Sequence, residues 1–306
     1  MTFRRPRSAA TRHARTLLVA AIIAMPMAAG FPAPALASEP TTGPAAPVAP
    51  AVPERQWVSE RYTAPGIHAV TSIGVPGYQV FHPADIATGS RRHPVVTFGN
   101  GSYATYEQYE ELLRHLASWG FVVVVADSSV TGDGSEILAA ARYVLAQNDN
   151  PESVFHDRID VEHVAAVGHS QGAGGAINAS TGSDGLITST AVLNLPDPWW
   201  ATRPVDVIDV TRLTGPVFYL TGAEDPLSTA VPQAAYYALG PGPAVRGRLL
   251  GMGHNWPADG GGFRGYLTAW LRFTLTGDDN AAPAFVGPAP ELSTDPAWDG
   301  TAVRGW

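Results

Sequence analysis

Short apolar runs alternate with longer amphipathic runs through most of the chain, a pattern typical of proteins that alternate strands and helices. The short runs predict strands at 78–81, 94–98, 121–126, 188–193, 216–221 and 245–250. The longer runs, with apolar residues every three or four positions, predict helices at 106–119, 135–147, 226–239 and 263–275. We expect Ser135 to cap the second helix. Continuous apolar runs are typical of parallel strands, because parallel strands are buried on both faces of the sheet. The order therefore predicts an α/β fold with one doubly wound, mostly parallel sheet and helices on both faces.

One further strand leads into the sequence Gly-His-Ser-Gln-Gly at 168–172. The residues before it, 161–167, are mostly apolar, and the residues after it are small, which predicts a strand, a sharp turn and a helix. A G-x-S-x-G motif in this context is typical of a nucleophile elbow, which lifts the serine hydroxyl above the sheet edge. Glycines flank the serine because the strand and the helix pass closely there. Ser170 is therefore the candidate nucleophile.

Two later strand ends carry an acid and a histidine. Asp225 follows the predicted strand at 216–221, and His254 follows the next strand. In α/β-hydrolase triads the serine comes first in the chain, the acid second and the histidine third, which is the order found here. The carboxyl ends of parallel strands meet at one edge of a sheet, so these residues can lie close together. A neutral imidazole can take the serine proton, and a buried carboxylate fixes the imidazole tautomer. We predict Ser170, Asp225 and His254 as the catalytic residues, with Glu224 as the rival acid.

An oxyanion hole needs two backbone N–H donors. Gln171 follows the serine and is expected to supply one of them. The second is expected from the loop after the strand at 94–98, where Ser102 is favoured and Gly101 and Tyr103 are alternatives.

Aromatic side chains on the same loops are candidates for substrate binding, namely Tyr103, Trp199, Trp200 and Trp256. The connection at 195–215 is too short for a separate lid domain, so we expect an open cleft. Such a cleft would suit an apolar acyl group or an aromatic ester. Packing of each aromatic side chain against its own loop is an equal alternative.

The N-terminal residues are typical of an export signal. Five arginines precede an apolar run at 17–25, and Ala35-Leu36-Ala37 provides a cleavage site. The apolar run is too short for a membrane span, and the pair Arg4-Arg5 leaves the export route open. Because the signal carries five arginines and no acid, its removal would change the net charge from −8 to −13. So acidic a protein is not expected to bind nucleic acid.

These features give a domain plan of four segments. We predict a signal peptide at 1–37, a linker rich in proline and alanine at 38–54, a catalytic domain at 55–279 and a tail at 280–306 packed on that domain. The chain has no cysteine, which excludes disulfides and thiolate metal sites, and its histidines show no metal-binding spacing. We therefore expect a secreted monomer without metal, cofactor or stable membrane insertion.

Taken together, the motifs resemble the α/β-hydrolase fold, and within it the secreted bacterial cutinases, polyester hydrolases and acetylhydrolase-type esterases. The resemblance covers about 62–276 and rests on the sequences at 116–123, 168–172, 222–225 and 253–254. It implies a serine esterase that forms an acyl-enzyme on small or polymeric esters. It also implies an oxyanion donor at Ser102 and a substrate-contacting tryptophan at Trp199 or Trp200.

The chain departs from that group at three points. Gln171 stands where the polyester hydrolases usually have methionine, the oxyanion loop has Gly-Asn-Gly-Ser, and no cysteine is available for the group's common C-terminal disulfide. A serine peptidase or amidase on the same fold would share the predicted triad and stays an alternative. A non-catalytic binding protein is a further alternative, but it would be expected to have lost a triad residue.

Overall fold

The computed structural model of the protein describes residues 57–256 and 258–306. The predicted signal peptide and linker lie outside the described residues. In the described part, no helix combines the length and apolar character needed to cross a membrane.

Within residues 57–256 and 258–306, nine strands form one sheet in the order β1-β2-β4-β3-β5-β6-β7-β8-β9. They are β1 (Val70–Val75), β2 (Tyr78–Pro83), β3 (His93–Gly99), β4 (Val122–Ala126), β5 (Ile159–His169), β6 (Ser189–Leu193), β7 (Val217–Gly222), β8 (Ala244–Leu249) and β9 (Trp298–Arg304). The six strands from β4 to β8 in this order pair in parallel. β1, β2 and β9 join antiparallel at the two edges. This confirms the prediction of a mostly parallel sheet.

Helices cover both faces of the sheet, as predicted. They are α1 (Val58–Thr63), α2 (Glu110–Ser118), α3 (Ser135–Gln147), α4 (Gln171–Thr181), α5 (Ala230–Leu239), α6 (Arg264–Thr276) and α7 (Glu291–Thr294). Apolar residues of α1, α2, α6 and α7 pack in one buried cluster, and those of α3, α4 and α5 pack in a second. The arrangement is that of the α/β-hydrolase fold.

The central strands are apolar throughout because successive residues face opposite helical layers. In β3, Val96 and Phe98 belong to the cluster with α2 and α6, whereas Val95 belongs to the cluster with α3 and α4. In β4, Val123 faces the first cluster and Val124 the second. The sheet is therefore covered on both sides at its centre.

One helix start and one helix cap differ from the prediction for identifiable reasons. The helix expected from residue 226 begins at Ala230, because the Asp225 carboxylate accepts the N–H groups of Leu227 and Ser228 and holds that segment in a turn. The predicted cap Ser135 is wrong. Gly134, at φ 81°, occupies the cap position, and the N–H of Ser135 donates to the Asp133 carboxylate.

The C-terminal residues pack against the rest of the described chain. β9 pairs with β8 as an edge strand, and α7 contacts it. The buried carboxylate of Glu291 accepts the N–H of Ser59 at 2.8 Å and also that of Val58, at the first turn of α1. This carboxylate clasp ties the first described helix to the last one.

His115, in α2, predicts a pH dependence of stability. Its Nε2 lies 3.0 Å from the carbonyl oxygen of Tyr62, and burial lowers the pKa of His115 to about 4. An unfolded histidine has a pKa of about 6.5. As the pH falls from about 6.5 to about 4, the unfolded chain therefore binds a proton that the native protein does not, and stability is lost in that window. The loss attributable to this group is roughly 3 kcal/mol.

Urea unfolding of the wild type and of His115→Gln at pH 7, 5.5 and 4.5 measures this effect. We expect the free energy of unfolding to fall less steeply with decreasing pH in the variant. Parallel pH dependences of the two proteins would contradict the assignment.

Candidate active site

The Gly-His-Ser-Gln-Gly sequence forms a strained turn between β5 and α4. Ser170 has φ 55° and ψ −123°, a conformation that residues other than glycine rarely adopt. Its N–H donates to the carbonyl oxygen of Leu193 at 3.0 Å, which holds the turn against β6. A Cβ atom at Gly168 would collide with the backbone of Gly172, and one at Gly172 would collide with the carbonyl of Gly99. The flanking glycines are therefore required by the close approach of backbone to backbone.

The three residues predicted as a triad lie in one hydrogen-bonded line. Ser170 Oγ lies 2.8 Å from His254 Nε2, and His254 Nδ1 lies 2.7 Å from Asp225 Oδ2. Because an ionised carboxylate only accepts, Nδ1 carries the proton and Nε2 of the neutral ring can accept the serine hydroxyl. The Asp225 side chain is fully buried, whereas Glu224 is exposed. The structure thus brings Asp225, and not the rival acid, to the histidine.

The surroundings of Asp225 keep it ionised. Burial raises the pKa of this carboxyl, but the hydrogen bond from His254 and the backbone N–H of Leu227, at 2.8 Å, outweigh the burial and lower the pKa below its usual value. Ser228 donates a further N–H at 3.2 Å. A negative charge therefore faces the histidine without a rearrangement of the site.

The loop after β3 forms a turn against the serine. The N–H of Ala104 donates to the carbonyl oxygen of Gly101, and Tyr103 has φ 62°. The N–H of Gly101 donates to the Tyr109 hydroxyl at 3.1 Å, so it is not free to bind an oxyanion. The N–H groups of Ser102 and Tyr103 have no acceptor within the described residues, and the same is true of Gln171. Ser102 and Gln171 therefore stay the predicted donors, with Tyr103 as the alternative.

A cavity of about 530 Å³ opens in front of the serine. Ser170, His254, Tyr103 and Trp256 are among the residues that line it. Tyr103 stands at the rim with 95% of its surface exposed, and the Trp256 ring packs on Tyr109 at 5.5 Å between centroids. Two of the predicted aromatic residues thus lie at the cavity.

Trp199 and Trp200 do not belong to the lining of this cavity and are 66% and 49% exposed. The buried carboxylate of Asp197 accepts the N–H and the hydroxyl of Thr229, which fixes the turn that precedes the tryptophans. The N–H of Asp197 donates to the carbonyl oxygen of Leu227, a residue of the lining. The two tryptophans therefore follow a segment that borders the cavity wall, outside the cavity itself.

Asn194 is a site residue that sequence reasoning missed. It follows β6 with φ 51°, and its side-chain amide donates to the carbonyl oxygens of Gly253, at 3.0 Å, and His254, at 2.7 Å. Its Oδ1 accepts the N–H of Gly222 at 2.7 Å. Asn194 thus joins the end of β7 to the loop that carries the histidine. An asparagine directly after a strand, in a position that tolerates a positive φ, was the available signal.

The Gln171 side chain has a contact that the sequence did not reveal. Its Oε1 lies 3.2 Å from the N–H of Thr131, whose hydroxyl donates to the carbonyl oxygen of Asn100. The residue after the nucleophile is therefore tied to two neighbouring loops. Within the described residues, no group of three or more histidine, aspartate or glutamate side chains could hold a metal ion.

Comparison with known proteins agrees with this fold. A family model described as PET hydrolase-like matches residues 42–235, more than half of the chain, which includes Ser170 and Asp225 and ends before His254. Cutinase est1 of Thermobifida alba is 23% identical over 234 residues, or 71% of each chain. A bis(hydroxyethyl) terephthalate hydrolase of Streptomyces coelicolor is 28% identical over 141 residues, or 43% of each chain. A cutinase of Thermobifida fusca is 26% identical over 186 residues, or 59% of each chain. The chain therefore belongs to the PET hydrolase-like family and is a hydrolase with the α/β-hydrolase fold.

Proposed function

We propose that the protein is an exported serine esterase that hydrolyses carboxylic esters through an acyl-enzyme. The observation that carries this proposal is the line of hydrogen bonds from Ser170 through His254 to Asp225. That line begins at a strained turn at the carboxyl edge of a parallel sheet and faces an open cavity. In this proposal Ser170 is the nucleophile, His254 is the general base and Asp225 is the orienting acid.

In the acylation half-reaction, Ser170 Oγ attacks the ester carbonyl carbon while His254 Nε2 takes the hydroxyl proton. The carbonyl oxygen becomes an oxyanion, which accepts the N–H groups of Gln171 and Ser102. The Asp225 carboxylate stabilises the imidazolium without itself being protonated. His254 then gives its proton to the alkoxide as the carbon–oxygen bond breaks, and the alcohol leaves.

Deacylation follows the same route with water as the nucleophile. His254 takes a proton from the water as its oxygen attacks the acyl carbon, and the same N–H groups bind the second oxyanion. Collapse of this intermediate breaks the bond to Ser170 Oγ, which recovers its proton from His254. The carboxylic acid is released and the enzyme returns to its starting state.

The cavity supports apolar or aromatic esters as substrates, including ester groups of a polymer. It is open, and an exposed tyrosine, Tyr103, stands at its rim. The names of the relatives refer to cutin and to a terephthalate ester, and both are consistent with this class. The basic and apolar N-terminal segment supports export.

We expect Ser170→Ala to lower kcat by roughly 10⁴-fold to 10⁶-fold with the fold intact, because the variant lacks the oxygen that forms the proposed acyl-enzyme. A fluorophosphonate probe should label the wild type at Ser170 and leave the variant unlabelled. Ser180→Ala, at the far end of α4, is the matched control and should keep both labelling and activity. Turnover or labelling that persists in Ser170→Ala would refute the proposed nucleophile.

The identity of the acid can be tested with two neighbouring residues. Asp225→Asn should lower kcat by about 10⁴-fold, because an amide leaves the imidazole in the wrong tautomer. Glu224→Gln changes an exposed residue and should leave kcat within about twofold of the wild type. Rates of p-nitrophenyl acetate hydrolysis give both values. The reverse outcome would assign the acid to Glu224.

The exposed tryptophans offer a test of the substrate class. If large esters extend beyond the cavity, Trp199→Ala or Trp200→Ala should raise KM for bulky aromatic esters several-fold and leave KM for acetate esters unchanged. Trp306→Ala is the control, because Trp306 is also about half exposed but packs on α6, away from the cavity. Equal effects on all esters would show that the two tryptophans serve only packing.

A further inference from the structure

Two buried side chains connect the oxyanion turn to the loop of the catalytic histidine. The N–H of Gly101 donates to the Tyr109 hydroxyl at 3.1 Å, and this hydroxyl lies 2.9 Å from His169 Nδ1. On the other side of the ring, His169 Nε2 lies 2.9 Å from the carbonyl oxygen of His254. Tyr109 and His169 are each only 5% exposed. The series of hydrogen bonds from Gly101 to His254 is called the relay below.

The donor and the acceptor of each hydrogen bond in the relay can be assigned. The carbonyl oxygen of His254 can only accept, so Nε2 of His169 must carry a proton. Burial lowers the pKa of His169 to about 4, so the ring is neutral near pH 7 and its Nδ1 can only accept. The Tyr109 hydroxyl therefore donates to Nδ1, and its oxygen accepts the N–H of Gly101.

The two ends of the relay lie next to the groups that would act on the substrate. Gly101 immediately precedes Ser102, the proposed oxyanion donor, and His254 is the proposed base. The carbonyl oxygen of His254 also accepts from Asn194, so the histidine loop is held by two donors from two different strand ends. The ring of Tyr109 packs on Trp256, which follows the histidine by two residues, and so supports the same loop.

We propose that Tyr109 and His169 are positioning residues, which hold the oxyanion turn and the His254 loop at a fixed separation through the relay. This inference rests on the proposed function, because it concerns the distance between the proposed oxyanion donor and the proposed base. Neither side chain is hydrogen-bonded to Ser170 Oγ or to His254 Nε2. Both act on the reaction through the backbone of their neighbours.

Tyr109→Phe keeps the aromatic ring and removes only the hydroxyl. It leaves the Gly101 N–H and His169 Nδ1 unpaired in a buried place, which frees the turn and the loop to move apart. We expect kcat to fall about 10-fold to 100-fold with little change in KM. A loss of this size is expected when the oxyanion donor and the base are displaced from each other by up to about 1 Å. A rise in KM with unchanged kcat would overturn the proposal, since it would make Tyr109 a substrate contact.

Tyr62→Phe is the matched control. Tyr62 is also buried and also loses a hydroxyl hydrogen bond, to Asp278 at 2.9 Å, but it lies in α1, outside the cavity lining. We expect a lower melting temperature with kcat unchanged. If Tyr109→Phe matched this control in both measurements, its hydroxyl would serve stability alone.

A double-mutant cycle tests whether the Tyr109 and His169 side chains act as one hydrogen-bonded unit. His169→Phe removes both bonds of the imidazole, and breaking either residue already disconnects the relay. The double variant Tyr109→Phe/His169→Phe should therefore be no slower than the slower single variant. His169→Gln, which can still donate toward His254, should recover part of the loss seen in His169→Phe. If the fold-decrease in kcat of the double variant equalled the product of the two single decreases, the two side chains would act independently, which would overturn the relay.

Hydrogen exchange separates this proposal from the proposed function, because it needs no turnover. In a Ser170→Ala background, Tyr109→Phe should speed amide exchange in residues 250–256, whereas Tyr62→Phe should not. Unchanged exchange there would overturn the relay and leave the proposed function intact. Activity that persists in Ser170→Ala would instead refute the proposed function, whatever the exchange experiment shows.

Discussion

The close approach of β3, β5 and α4 beneath Ser170 is the constraint on which the site depends. At Gly168 and Gly172 the atoms that a side chain would meet belong to the backbone, which cannot turn aside as a side chain can. This packing leaves the serine one conformation, and the left-handed φ of 55° is held there by the strands on either side of β5. The Ser170 hydroxyl is held in turn by its hydrogen bond to His254 Nε2 at 2.8 Å.

The partners of the serine come from loops that have little structure of their own and are held by buried polar groups. The acid is fixed by backbone N–H groups in its own turn, and the histidine loop is fixed by Asn194 and His169. All of these donors lie at the carboxyl edge of the sheet. Hydrogen bonds to the backbone therefore hold the site in place, and in the proposed reaction the charge that forms would meet dipoles already in position.

The fold and the three residues that meet at the candidate site could be predicted from the sequence because both follow from strong local patterns. A continuous apolar run specifies a strand buried on both faces, and Ser170, Asp225 and His254 each directly follow such a run or its turn. The edge strands β1 and β9 could not be predicted, because β1 has exposed positions and β9 includes Asp299 and Gly300. The parallel strands between them have the continuous apolar runs that these two edge strands lack.

Other parts of the site depend on contacts between residues far apart in the chain. Nothing near Tyr109 indicates that its hydroxyl meets His169, 60 positions later, or that Gly101 donates to it. The position of Trp199 and Trp200 outside the cavity was equally hidden, since the turn before them is held by hydrogen bonds between Asp197 and Thr229. Side-chain hydrogen bonds between distant loops have no periodicity, so sequence patterns cannot reveal them.

The carboxylate clasp of Glu291 has a consequence for how the chain ends unfold. A disulfide would keep the ends joined after the structure around it had melted, but a hydrogen-bonded carboxylate acts only while both helices are formed. Opening α7 leaves the first amides of α1 without their acceptor, and opening α1 leaves a buried carboxylate unpaired. We therefore expect the two ends of the described chain to fray as one cooperative unit and to re-form without an oxidant.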